Sequence, residues 1–448
     1  MKLITPPLVI DEKDSFANDV LDRKTYGETL RNLVVNSDDA LVISLDGKWG
    51  EGKTTFVKMW QGLLKEDKIP NVYIDAFAND YVDDAFISVA SAITSYAEKN
   101  IKNQQNTLDD FKNNAKEVGT KLLPWAARVG IKAVTLGIIE ETNIKELKNI
   151  QEDLSNTASD LVASLVDERL NSHTQDIEQI ESFKKVLSEL PSKLQQEGSD
   201  KPLVIIIDEL DRCRPTFAVE MVEKIKHLFS VENVVFLLVM NKKQLEESIR
   251  CVYGKIDAHT YLQKFINLEM KLPKKIKGIH TNDIRKYIER LYEVHELETW
   301  GDKDGLIYLL EIFAKHFNLS LRQLEKTFTQ IAVFYSSSNQ NEFRLIPVIV
   351  FLSILKVFNP NMFDDLLQQK ITFDFIWKEL QLNHCTDDLD WPLQEIIKYV
   401  LLTEDEFNSL DVNDELKEYR RYLGTHNIQR KNILPFFVRK LNAFSISG

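Results

Sequence analysis

Residues Gly47-Lys48-Trp49-Gly50-Glu51-Gly52-Lys53-Thr54 read G-x-x-x-x-G-K-T. An apolar run, Ala40–Leu45, precedes them, and Phe56, Val57, Trp60, Leu63 and Leu64 follow on one helical face. Strand, glycine-rich loop and helix in this order build a cradle for phosphate. The glycines let successive N–H groups converge, and the positive end of the helix adds to the field. The pattern predicts binding of a nucleoside triphosphate, taken to be ATP, with Mg²⁺. Lys53 is expected at the β- and γ-phosphates, and the Thr54 hydroxyl is expected to ligate Mg²⁺, a hard cation that prefers oxygen donors. Gly47, Trp49, Gly50, Glu51, Gly52 and Thr55 complete the expected nucleotide-binding segment.

Working outward, Asn71–Asp75 reads as a short strand and Ala85–Ala97 as a helix. Leu203–Ile207 and Val234–Met240 are continuous apolar, β-branched runs of the kind buried on both faces of a parallel sheet. Ile266–Lys271 reads as a further strand that ends before Pro273. The fold class that follows is α/β, a parallel sheet flanked by helices with its ligand at the carboxyl edge. Residues 1–273 form this core, interrupted at about 100–202 by a polar, helical insertion with coiled-coil-like stretches at Ile144–Leu170 and Ile177–Leu194. Asp283–Tyr292, Leu306–Phe317, Leu321–Phe334 and Leu345–Phe358 read as helices. Residues 274–335 are expected to be a helical lid and 336–448 a carboxyl-terminal helical domain, with Ser336–Asn341 as the linker.

The run Leu203–Ile207 leads into Asp208-Glu209-Leu210-Asp211-Arg212. Asp208 at the strand tip is expected to hold Mg²⁺ through water, because this ion dehydrates reluctantly. Glu209 is expected to polarise the attacking water. Asn241 follows the Val234–Met240 strand where a polar side chain would touch the γ-phosphate or the water; a helix cap is the competing reading. Arg212, Arg214 and Arg322 are candidates to offset phosphate charge, with Arg322 preferred because it lies in the expected lid.

The 448 residues carry 56 basic and 69 acidic side chains, a net charge of −13, which argues against broad attraction to nucleic acid or anionic membranes. Arg420, Arg421, Arg430, Lys431, Arg439 and Lys440, interleaved with Tyr419, Tyr422, Phe436 and Phe437, are a nucleic-acid-like pattern that reads better as a charged face beside a small core. Cys213, Cys251 and Cys385 are widely spaced and read as ordinary buried thiols of a reducing compartment. The amino terminus lacks a signal-peptide pattern, and neither Leu122–Ile139 nor Leu345–Phe358 is a convincing membrane span, so a soluble, cytoplasmic chain is expected.

The phosphate loop with Trp49 between its glycines, together with Asp208-Glu-Leu-Asp-Arg-Cys213, resembles the KAP family of P-loop NTPases. Leu21-Asp-Arg-Lys-Thr-Tyr26, Tyr261–Ile266, Lys271-Leu-Pro273 and Ser320-Leu-Arg-Gln-Leu324 are similar to other segments of that family, so the likeness covers about residues 15–335. Phe77 stands where the family often has Trp, and the insertion is mostly polar where many members carry membrane spans. The resemblance implies ATP hydrolysis in a multi-subunit protein complex, in phage defence or in signalling. Self-association, a nucleotide-gated scaffold with negligible turnover, and an ATP-driven nucleic-acid remodeller stay open as alternatives.

Overall fold

The computed structural model describes residues 1–11, 14–37, 40–81, 85–100, 184–185, 187–192, 194, 201–226, 230–273, 283–368, 370–382, 393–409 and 429–442. The stretches Leu122–Ile139 and Ile144–Leu170, Cys385 and the basic residues Arg420 and Arg421 lie outside them, as does part of Ile177–Leu194.

Five strands, β1 (Leu41–Asp46), β2 (Asn71–Asp75), β3 (Leu203–Asp208), β4 (Val234–Met240) and β5 (Leu268–Lys271), form one parallel sheet in the order β2-β3-β4-β1-β5. Residues alternate between its two faces. Val42, Ile205, Ile207, Phe236 and Leu238 join one buried cluster, while Ile43, Leu45, Val204, Ile206, Val235 and Leu237 join another. Both faces are therefore covered, and this is why β3 and β4 are apolar at nearly every position. Helices α1 (Lys24–Val35) and α2 (Lys53–Glu66) cover the second face through Leu30, Val34, Phe56, Trp60 and Leu64. Helices α3 (Ala85–Asn100), α4 (Pro215–Ile225), α5 (Lys242–Tyr253) and α6 (Ala258–Leu262) cover the first. Leu187 and Leu190, near the end of the expected insertion, are buried in that same layer.

The helical half begins with α7 (Asp283–His295), α8 (Lys303–His316), α9 (Leu321–Ser336) and α10 (Ile346–Phe358). Helix α9 starts at a capping box: the Ser320 hydroxyl accepts from the Gln323 N–H, and the Gln323 side chain accepts from the Ser320 N–H at 2.9 Å. One apolar cluster runs from Ile288 to Leu441, so residues on both sides of Ser336–Asn341 share a core. The Lys440 ammonium reaches into that segment, donating to the Ser337 carbonyl at 2.6 Å and pairing with Glu342.

The chain's first residues lie on this half. Lys2 N–H donates to the His295 carbonyl, and the His295 ring bonds the Lys2 carbonyl through Nδ1 and the Thr5 hydroxyl through Nε2. Cys213 is buried, but Cys251 is exposed, because it falls on the solvent side of the last turn of α5; the expectation of a buried thiol fails there. Among the described residues no helix is long and apolar enough to cross a membrane. Arg430 donates to the carbonyls of Tyr399 and Leu402 and stacks over Phe407, and Phe437 lies in the core, so these members of the basic and aromatic tail serve internal packing.

Candidate functional site

The strand order sets the site. Because β4 lies between β1 and β3, the carboxyl edge presents Gly47, Asn241 and Glu209 from neighbouring strands, one residue beyond Asp46, Met240 and Asp208. The Gly47 N–H donates to the Met240 carbonyl at 3.2 Å, fixing the start of the loop against the end of β4. Gly50 and Gly52 have φ of 78° and 80°, the left-handed region where a side chain is strained. Gly52 then caps α2, and Lys53 is its first residue.

The Lys53 ammonium curls back onto the loop, donating to the carbonyls of Gly47 at 2.6 Å and Lys48 at 3.2 Å. Burial lowers its pKa, while Asp211 and Asp208 act in the opposite direction. The Glu51 carboxylate accepts the Lys48 N–H at 2.9 Å and so braces the loop from within. Trp49, at the crest, is half exposed, and its indole N–H bonds Asp211. Thr55 follows on the first helical turn, half-buried.

Across from the loop, the buried Asp208 carboxylate accepts from the Tyr73 hydroxyl at 3.0 Å and from the Glu209 N–H at 2.8 Å. Burial raises its pKa, and hydrogen bonds from Thr54 and Tyr73 oppose that rise. Glu209 has φ of 60°, a conformation that costs a non-glycine residue about 1 kcal/mol. Its carboxylate lies 2.6 Å from the Arg212 guanidinium and accepts from the Thr54 hydroxyl at 3.5 Å. Burial raises its pKa as well, with Arg212 pulling it down. Thr54, Asp208 and Glu209 are thus brought together.

The donor set suits Mg²⁺. The Thr54 hydroxyl and the buried Asp208 carboxylate are hard oxygens beside the glycine-rich loop, the donor type that Mg²⁺ prefers. Thr54 and Asp208 would hold the ion. Among the described residues no group of three His, Cys, Asp or Glu side chains is placed to hold a metal by itself.

Asn241 is half-buried at the N-cap of α5, yet its side chain makes no capping bond. Arg214 is turned away to Asp80. Arg322 meets the loop through its backbone, its N–H donating to the Gly50 carbonyl at 3.2 Å, while its side chain is exposed. Motif reading passed over Arg23: this buried residue places both terminal nitrogens 3.1 Å from the Glu51 carbonyl. A backbone acceptor leaves no mark in a residue pattern, so only the position of Arg23 in the segment Leu21–Tyr26 hinted at it.

The family model for the KAP family P-loop domain matches residues 23–338. The phage T7 exclusion protein of Escherichia coli (strain K12) is 21% identical over 168 residues, which are 37% of this chain and 22% of that protein. The chain thus spans less than a quarter of that relative's length. An uncharacterized protein of Methanocaldococcus jannaschii is 28% identical over 170 residues, 35% of this chain and 82% of that protein. Among solved structures, the ORC2 protein of Aeropyrum pernix aligns over 94% of each chain at 12% identity and a TM-score of 0.32, too loose a likeness to carry an argument.

Proposed function

Because the chain belongs to the KAP family of P-loop domains, we propose that it is a Mg²⁺-dependent ATP hydrolase whose nucleotide state controls a protein complex in bacterial defence against phage. The observation that best supports hydrolysis is the contact of the Thr54 hydroxyl with Glu209 across 155 residues of sequence, beside Asp208. The loop amides and Lys53 bind and orient the phosphates. Glu209 takes a proton from water as the water oxygen attacks the γ-phosphorus in line and ADP departs. Mg²⁺, when bound, offsets charge on the phosphate oxygens. Asn241, one residue beyond the strand end that anchors Gly47, would orient that water. The defence role is supported by the likeness to the exclusion protein alone.

Glu209→Gln is expected to bind ATP and lose turnover, and Lys53→Ala to lose binding. Phage plating on cells that express each form tests the defence role: protection by wild type that disappears in Lys53→Ala supports it, and equal plating on both removes it. A second reading, a nucleotide-gated scaffold without turnover, draws on the ion pair that occupies Glu209. Wild-type protein that binds ATP but releases no phosphate, with its co-purifying partners present, would select the scaffold.

A further inference from the structure

The peptide joining Glu51 to Gly52 lies at the heart of the phosphate loop, and its carbonyl accepts from two nitrogens of Arg23, each at 3.1 Å. A trans peptide is planar, with its C=O and N–H pointing in opposite directions. Fixing this carbonyl on the outside of the loop therefore turns the Gly52 N–H toward the inside, where phosphate binds. Arg23 is held for the task. Its own N–H bonds the Asp19 carboxylate, which also accepts from the N–H groups of Lys24 at 3.0 Å and Leu21 at 3.2 Å. Arg23 is 5% exposed, and among the described residues its Nε–H has no partner. A buried guanidinium spent on a backbone carbonyl, with one donor unsatisfied, is costly for a purely structural contact. A Cβ on Gly52 would lie 3.2 Å from Arg23 Nη1 and 3.3 Å from a Leu321 methyl, so the loop leaves little room for a side chain where Arg23 packs against it.

We propose that Arg23 is a positioning residue of the phosphate loop: it holds the Glu51 carbonyl outward and aims the Gly52 amide at the nucleotide. The proposal rests on the reading of this loop as an ATP site.

Isothermal titration of Mg-ATP into full-length wild type, Arg23→Gln and Arg23→Lys tests it, alongside thermal unfolding and amide hydrogen exchange of the 47–55 segment. Both variants are expected to bind ATP on the order of tenfold more weakly, the loss carried by a charged hydrogen bond. Exchange should quicken in the 47–55 segment, with the unfolding midpoint close to wild type. Folded variants that bind ATP as wild type does, or that bind weakly with exchange raised throughout the chain, overturn the clamp. If Arg23→Gln fails to fold, Arg23→Lys decides the question; if neither folds, Arg23 serves the whole fold and the proposal fails. Wild type that binds no ATP would instead remove the nucleotide reading itself.

Discussion

The indole N–H of Trp49 donates to the Asp211 carboxylate, joining the crest of the phosphate loop to the turn that follows β3. Residues 210–212 form that turn, and its next residue, Arg212, holds Glu209. The loop that binds phosphate and the carboxylate that would activate water are thereby tied to one short segment, so a shift in either is felt by the other. Asp211 also helps keep Lys53 protonated against the effect of burial.

Asp211→Ala should free Trp49 and weaken ATP binding several-fold, about the worth of one charged hydrogen bond. The indole is half exposed, so water satisfies it and the fold survives. The chain has six tryptophans, so the Trp49 signal is isolated by subtracting the emission of Trp49→Phe. That signal should shift to the red in Asp211→Ala. Unchanged affinity together with unchanged emission would make the contact incidental.

The Arg212–Glu209 pair predicts a pH effect with a definite sign. Burial raises the Glu209 pKa and Arg212 lowers it. A water-activating carboxylate must be ionised, so turnover falls as pH drops through that pKa. Removing Arg212 raises the pKa further, and the acid limb of kcat in Arg212→Ala should move to higher pH, with Arg212→Lys lying between. A limb that stays in place with kcat unchanged separates Arg212 from the chemistry. A uniform loss at every pH would assign Arg212 to phosphate charge instead.

His295 makes the amino-terminal contact sensitive to acid. Burial lowers its pKa, so the folded state favours the neutral ring that bonds Lys2 and Thr5. For a histidine with a depressed folded pKa, the stabilisation is complete above the unfolded value near 6.5 and is lost as pH falls below it. Proteolysis within residues 1–10 should therefore speed up as the pH falls below about 6.5. His295→Gln, which cannot charge, should show a flat profile; the same acceleration in that variant would place the switch elsewhere.

Sheet and phosphate site were legible for local reasons. A β3 residue buried on either face has to be apolar, and a loop that cradles phosphate has to place its glycines where φ is positive, so both leave contiguous marks. The order β2-β3-β4-β1-β5, which sets Asn241 between loop and acids, left none, because periodicity reports burial and not neighbours. Arg23 was missed because it spends its terminal donors on a backbone carbonyl, and Lys440, read as part of a charged face, instead reaches Ser337, Ser338 and Glu342 about a hundred residues earlier in the chain. Ser336–Asn341 has the composition of a linker, yet the cluster from Ile288 to Leu441 extends to both sides of it, and no local composition encodes that.

The approach of α9 to the loop separates the backbone of Arg322 from its side chain. A Cβ on Gly50 would lie 2.6 Å from the Arg322 Cβ, and the φ of 78° already disfavours any side chain. Gly50→Ala should therefore combine left-handed strain of about 1–2 kcal/mol with a steric overlap of about 1–3 kcal/mol. Relief requires α9 to back away, breaking the Arg322 N–H bond to the Gly50 carbonyl. Arg322→Ala keeps the backbone contact and removes only an exposed side chain, so its stability should stay within about 0.5 kcal/mol of wild type. Denaturant unfolding of the two variants checks the ranking. Turnover then locates the arginine: if the Arg322 side chain reaches the transferred phosphate, Arg322→Ala loses kcat while ATP affinity holds, whereas Gly50→Ala loses both. Equal, small effects on stability would mean that α9 does not rest on the loop in solution.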